Sequence, residues 1–292
     1  MDYKVADFLI RTEGRHSDFE SFGFVGFKPF RLESPSADEP DMIVRMDAIT
    51  DGSLYPVVSD ISEFEFEQEY ATGRFSRYAE GYRFAMYRNG KEYLFIKRDG
   101  SNIVESNLGC EEVADLSLIR FGMWMMFGIV IAPKGAIAIH SSVVVKHGAA
   151  VLCLGESGTG KSTHTRLWRE NIEGAKLLND DSPIIRIIDG VCYAYGSPWS
   201  GKTHCYINRR VPVKALMRLS QAPHNKIRRL PALAAIGAVL PSCPPAFATD
   251  TALQDAICDT VSDVIASTPI YHLECLPNAA AAQLSYSTIF NV

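Results

Sequence analysis

The hydrophobic pattern of this chain changes period along its length. In the first hundred or so residues it alternates: Phe64-Glu65-Phe66-Glu67 places an apolar side chain at every second position, the spacing of a half-buried strand. Residues 84–88 and 92–97 flank Asn89-Gly90, a dipeptide suited to the two-residue turn of a β-hairpin, and Asp99-Gly100 turns the chain again into residues 102–105. Residues 29–56, rich in Pro, Asp and Ser, show no period and predict an irregular segment. From residue 111 the pattern becomes helical. Glu111, Glu112 and Asp115 are acids suited to a helix first turn. Residues 113–130 are apolar nearly all round, which predicts a buried helix at the joint between two domains.

Two apolar runs follow, residues 136–145 and 149–154, separated by Lys146-His147-Gly148. The second runs into a glycine-rich loop, after which residues 162–169 read as helix. Residues 175–179 form a strand ending in Asp180-Asp181, and residues 184–188 and 191–195 flank Asp189-Gly190 as a further hairpin. Helical stretches at 230–240 and 250–267, a strand at 270–275 and a helix after Pro277 complete the chain. Strand–loop–helix units mixed with hairpins predict an α/β protein, of the α+β kind with a mixed sheet. The expected division is a smaller β-rich N-terminal domain, 1–110, and a second domain, 111–292.

Composition narrows the classes. Of 292 residues, 47% are hydrophobic and 22% charged, values of an ordinary globular protein. The net charge of −5, with no long basic run, argues against nucleic acid as the partner, because such proteins cluster Lys and Arg against phosphates. The seven cysteines are scattered and form no C-x-x-C pair, which fits reduced thiols and a cytoplasmic location. The N-terminus has acids where a signal peptide needs a basic start. The longest apolar stretch, residues 121–132, is well short of the roughly 20 residues that span a bilayer, so no membrane partner is expected.

The candidate chemistry lies in the loop. Gly155, Glu156, Ser157, Gly158, Thr159, Gly160, Lys161 and Ser162 match G-x-x-x-x-G-K-[ST] at every fixed position, between an apolar strand and a helix. Glycines let successive backbone N–H groups converge on a phosphate, and the helix adds its positive end. Lys161 is placed to reach the terminal phosphates, Ser162 to put its hydroxyl on Mg²⁺, and Thr163 to complete the binding turn. The expected ligands are a nucleoside triphosphate, ATP, and Mg²⁺. The acidic pair Asp180-Asp181 ends a strand some twenty residues later: one acid suits the metal, the other a hydroxyl proton.

The segment from His140 to about Asp189 resembles the catalytic domain of the HPr serine kinase/phosphorylase family, P-loop proteins related to phosphoenolpyruvate carboxykinase. His140 fifteen residues before the loop, the GESGTGKS loop itself and Asp180-Asp181 carry the resemblance. It implies a P-loop HPr-kinase/carboxykinase-like domain, with Asp180 as catalytic base, Asp181 as metal ligand and His140 beside the transferred phosphate, although the two acids can exchange roles. It also implies a homo-oligomer, for which no heptad speaks here. The glycine-rich, Arg-bearing signature that docks HPr in that family is absent. In its place stands Gly196-Ser-Pro-Trp-Ser-Gly201-Lys202-Thr203, so the resemblance does not carry HPr over as acceptor. Trp199 and catalytic Lys202 are expected to close this loop over the site, and Arg209, Arg210 and Lys214 to add charge near the phosphates. The function expected is a Mg-dependent kinase acting on a hydroxyl of a protein serine or a small molecule. The alternative is a nucleotide-binding regulatory or assembly protein without productive transfer. A carboxykinase fits less well, as the chain lacks a basic set for a dicarboxylate.

Overall fold

Asn89 and Gly90 both have positive φ, 51° and 76°, the backbone that a two-residue type I′ turn requires at both central positions. They join strands that pair in register from Arg88–Lys91 outward. The computed structural model describes residues 1–14, 17–21, 23–67, 69–108, 116–201 and 203–292. It is a mixed α/β protein whose chain divides into two units, Met1–Ile131 with Ala246–Gln254, and Ala132–Pro245 with Asp255–Val292.

The first unit is built on an eight-stranded sheet. Its strands are β1 (Asp2–Val5), β2 (Phe8–Glu13), β3 (Met42–Arg45), β4 (Ser59–Phe66), β5 (Ala71–Tyr78), β6 (Gly81–Arg88), β7 (Lys91–Arg98) and β8 (Ile103–Ser106). They lie in the order β1-β2-β3-β8-β7-β6-β5-β4. β4 to β8 form the antiparallel meander expected from the turn signals, whereas β3 pairs parallel with both β2 and β8. That strand corrects the irregular reading of residues 29–56. Four residues are too few to show a period, and parallel neighbours lie far away in sequence.

Helix α1 (Leu116–Ile131) belongs to this unit. The expected boundary at residues 110/111, and the acids at 111–115, lie outside the described residues. Phe121 of α1 meets the rings of Phe64 and Phe66 edge-on, with centroids 5.6 and 5.1 Å apart. At Gly122 an added Cβ would stand 2.2 Å from the Phe95 ring, so only glycine admits this approach of helix to sheet. The helical stretch Leu116–Lys134, at 19 residues, is longer than the sequence reading allowed and apolar enough to cross a membrane by composition alone. However, 67% of an 18-residue apolar window of it is buried inside the protein, as in a core helix.

The second unit carries nine strands: β9 (Ala136–Ala138), β10 (Ser141–Lys146), β11 (Ala149–Leu154), β12 (Lys176–Asp181), β13 (Ile184–Ile188), β14 (Val191–Tyr195), β15 (Arg210–Gln221), β16 (Lys226–Arg229) and β17 (Ile270–Cys275). The main order is β12-β10-β11-β15-β14-β13-β9, with β17 parallel to β15 and β16 antiparallel to β17. Helices α2 (Lys161–Asn171), α3 (Ala232–Val239), α4 (Thr251–Ser267) and α5 (Ala279–Phe290) complete the chain. Ala215, Met217 and Leu219, every second residue of β15, join Val151, Cys153 and Leu273 in one buried cluster with Leu167 and Trp168 of α2 and Ala282 and Ile289 of α5. This packing fixes α2, and with it the loop at its N-terminus, against the sheet.

Candidate phosphate-binding site

The loop leaves β11 at Leu154 and enters α2 at Lys161. Gly160 precedes the helix with φ 105°, and no side chain caps the first turn. Thr159 folds back on the loop, its amide and hydroxyl both donating to Glu156 O at 3.2 and 2.7 Å. At Gly158 (φ 80°) and Gly160 an added Cβ would meet nothing within 4 Å. Glycine is therefore required there by backbone conformation and not by crowding, as expected of a loop that turns its amides toward an anion.

Lys161 is 8% exposed. Its Nζ lies 2.8 Å from Gly155 O, 3.0 Å from Glu156 O and 2.9 Å from His140 Nε2. Burial holds its pKa below the ordinary lysine value, although the charges of Asp181 and Asp180 pull the other way. An ammonium donates and never accepts, so His140 Nε2 is an acceptor and the ring proton sits on Nδ1. That nitrogen is 3.2 Å from Asp181 Oδ1. Lysine, histidine and aspartate thus form one chain of polar contacts, Lys161 hydrogen-bonded to His140 and His140 within ion-pair distance of Asp181.

His140 reaches this place because the apolar run 136–145 is two strands, not one. β9 pairs with β13 and β10 with β11 and β12, and residues 139–140 cross between them. The backbone amides of Ile139 and His140 donate to Pro183 O and Ser242 O at 3.0 and 2.7 Å.

Asp180 is 6% exposed and accepts from Ser162 Oγ at 2.8 Å. Asp181 has φ 139°, a backbone value that costs any residue but glycine; such strain collects at sites where the surroundings hold it. What holds it is Asn179, which is fully buried. Its Oδ1 accepts from Ser182 N at 3.0 Å, while its Nδ2 donates to Trp199 O at 3.0 Å and Ser197 Oγ at 3.3 Å. Gly201 N donates to Asp180 O at 2.6 Å, and an added Cβ on Gly201 would come within 3.3 Å of Asp181 Cβ. Asn179 was not singled out from the sequence; its place immediately before two acids was the available signal.

The structure thus brings together Lys161, Ser162, His140, Asp180 and Asp181. Lys202 lies outside the described residues. Trp199 is 4% exposed, which corrects its expected part in a closing loop: its ring is packed in, and its carbonyl anchors Asn179. Arg210 pairs with Tyr195 at the start of β15, its guanidinium 4.9 Å from the Tyr193 ring centre. The strand register places Arg218 opposite Leu154, at the entry to the loop. Arg218 Nη2 lies 3.5 Å from Glu156 Oε1 and Nη1 3.4 Å from Ala238 O. No periodicity marks Arg218; only the parallel pairing of β11 with β15 reveals it.

The donor set fits a magnesium ion in a limited sense. Among the described residues no three His, Cys, Asp or Glu side chains cluster as a metal site. Yet a hydroxyl and a carboxylate side by side are hard oxygen donors, and Mg²⁺ commonly takes only one or two protein ligands beside phosphates and water. The pair Ser162–Asp180 suits that role in company with a nucleotide.

The chain matches no protein-family model and no curated protein. Among solved structures it is similar to the Hpr(Ser) kinase/phosphatase from Coxiella burnetii, over 52% of this chain and 87% of that one, at 13% identity and a TM-score of 0.32. The likeness is a distant one.

Proposed function

We propose that this protein binds a nucleoside triphosphate with Mg²⁺ on residues 155–163 and transfers the terminal phosphate to a hydroxyl group, on a protein serine or a small molecule. The observation that carries the reading is the chain Lys161–His140–Asp181, set at the loop beside the separate pair Ser162–Asp180.

In this reading the loop amides and the start of α2 bind the phosphates, and Lys161 exchanges its carbonyl and imidazole partners for phosphate oxygens. Asp180 and Ser162 hold the cation, which when bound neutralises charge on the phosphates. Asp181 takes the proton of the acceptor hydroxyl while the new O–P bond forms and the bond to the leaving diphosphate breaks. His140 orients Asp181 through Nδ1–H. These roles exchange the two aspartates relative to those implied by the family resemblance. The reason is geometric: the buried acid is the one bonded to Ser162, and the half-exposed acid is the one linked to His140. Catalysis of this kind is mainly positioning and charge neutralisation, which these residues supply.

The test is release or transfer of labelled γ-phosphate from Mg·ATP across a panel of hydroxyl acceptors, with wild type beside Lys161→Ala. Transfer by wild type and its loss in the variant are expected; full activity in Lys161→Ala would contradict the assignment. ATP binding without any turnover would favour the nucleotide-binding regulator instead.

A further inference from the structure

Six residues of the second unit share one line across the sheet. Asp181 of β12 pairs with Ser141 of β10, Ser141 with Leu154 of β11, and Leu154 with Arg218 of β15. Arg218 pairs in turn with His272 of β17, and His272 with Arg228 of β16. Residues opposite one another in a ladder project to the same face. Leu219 and Leu273, the next residues along β15 and β17, belong to the buried cluster with α2 and α5. Arg218 and His272 therefore face the other way.

The line starts at the acid read as taking the hydroxyl proton and ends in cations. Arg228 Nη2 lies 3.5 Å from His272 Nδ1, and among the described residues Arg228 has no carboxylate partner. Burial and the charges of Arg228 and Arg218 hold the His272 pKa below its ordinary value, against the pull of Glu274. This end of the face is electropositive. Glu274 stands opposite Lys226. Glu156, 3.5 Å from Arg218, has a side chain 83% exposed, so displacing it costs little.

An apolar stripe runs alongside. The segment from Leu230 to Ser242 is tied at three points: Leu230 N donates to Ile270 O at 2.8 Å, Ala238 O lies 3.4 Å from Arg218 Nη1, and Ser242 O accepts from the His140 amide at 2.7 Å. It thus leads from β17 past Arg218 to His140. Leu233, Ile236 and Leu240, three and four residues apart and so on one side of the helix, are all exposed, Leu233 by 85%.

We propose that this strip docks the acceptor, and that the acceptor is a protein segment with acidic and apolar side chains to one side of its reactive serine. The proposal rests on Asp181 and residues 155–163 acting as read above, and it selects the protein over the small molecule. The span decides: Asp181 to Arg218 is three strand spacings, roughly 14 Å, and Asp181 to Arg228 is five, roughly 24 Å. A sugar or an amino acid is shorter than either, whereas an extended chain covers them in about four to seven residues.

The test uses the full-length protein, Mg·ATP labelled at the γ-phosphate, and synthetic peptides with one central serine. Glu, Lys, Leu or Ala is placed in turn at each position on either side of it. Wild type is expected to show a kcat/KM about tenfold higher for Glu than for Ala at about four to seven residues from the serine, on one side only. That is the scale of one charge-assisted hydrogen bond. Arg228→Glu should reverse the choice at the outer position, favouring Lys over Glu, which a merely structural arginine would not do. Leu should lower KM at one or more positions in wild type, and Leu233→Ser should weaken that effect. Equal rates for Glu, Lys and Ala, an unchanged preference in Arg228→Glu, or a leucine effect undiminished in Leu233→Ser would overturn the proposal. So would ATP binding with no transfer to any peptide, whether or not a small hydroxyl compound is phosphorylated. Failure of wild type to bind Mg·ATP would instead remove the phosphate-site reading beneath it.

Discussion

Lys161 Nζ stands 2.9 Å from His140 Nε2 and donates its other two protons to the carbonyls of Gly155 and Glu156. All three protons of the ammonium are therefore in use before any phosphate arrives. Binding must exchange partners rather than simply add them, and His140 is the partner whose release changes the far side of the site, because its other nitrogen holds Asp181. Replacing His140 with Ala is expected to lower the transfer rate by about a hundredfold, the lower end for a misplaced acid–base group. Nucleotide affinity should move little. Single-turnover rates beside equilibrium titrations check this split, and a large loss of affinity with an unchanged rate would contradict it.

The two aspartates should respond differently to magnesium. Asp180→Asn weakens the oxygen pair with Ser162, so the Mg²⁺ concentration for half-maximal activity is expected to rise at least about tenfold. Asp181→Asn leaves that pair intact and removes the proton acceptor. Its activity should drop by about a hundredfold or more at every Mg²⁺ concentration. Magnesium titrations of both variants decide between these roles and the reverse order.

Asn179 tests whether the strained acid segment depends on its support. Asn179→Ala leaves the Ser182 amide without its partner and removes one of the two donors to the Trp199 carbonyl, Ser197 Oγ remaining, a loss of about 1–3 kcal/mol in buried polar satisfaction. Urea unfolding should show that loss. Activity should fall more steeply than stability, since Asp181 at φ 139° has no reason to hold its place once the clamp is gone.

His164 gives the pH dependence a sign. Burial lowers its folded pKa to about 4, below the unfolded value. Between about pH 6.5 and pH 4 the unfolded chain therefore binds more protons. Its contribution is complete above that window and is lost as pH falls through it, by an amount on the order of 3 kcal/mol. Unfolding measured at pH 7, 5.5 and 4.5 should be less steep in pH for His164→Gln than for wild type. Parallel curves would contradict a buried neutral ring.

Much of this was legible in the sequence, for physical reasons. The Asn89-Gly90 turn, the glycine loop and the acids ending β12 are local features, fixed by backbone preference and by spacing along one strand or loop. What was not legible depends on residues distant in sequence. His140 is named only through the family resemblance; its place beside Lys161 comes from strands on either side of it that pair with different neighbours. Arg218 stands at the loop only through the parallel register of β15 with β11. Trp199, expected to close the loop over the site, is buried, and its carbonyl joins Ser197 in a network around Asn179. Residues 246–254 return to the first unit, where Tyr82 donates to Asp250 Oδ1 at 3.0 Å, far from any local signal.

The central claim is that the loop and the paired acids form one magnesium-nucleotide site, and a crystal structure with a non-hydrolysable ATP analogue and Mg²⁺ tests it most directly. The account predicts the phosphates on residues 155–162, the cation at about 2.1 Å from Ser162 Oγ, held on its other side by Asp180 directly or through water, and Asp181 facing the terminal phosphate with His140 behind it. A triphosphate bound elsewhere, or a cation on Asp181 with Ser162 and Asp180 still paired to each other, would contradict it.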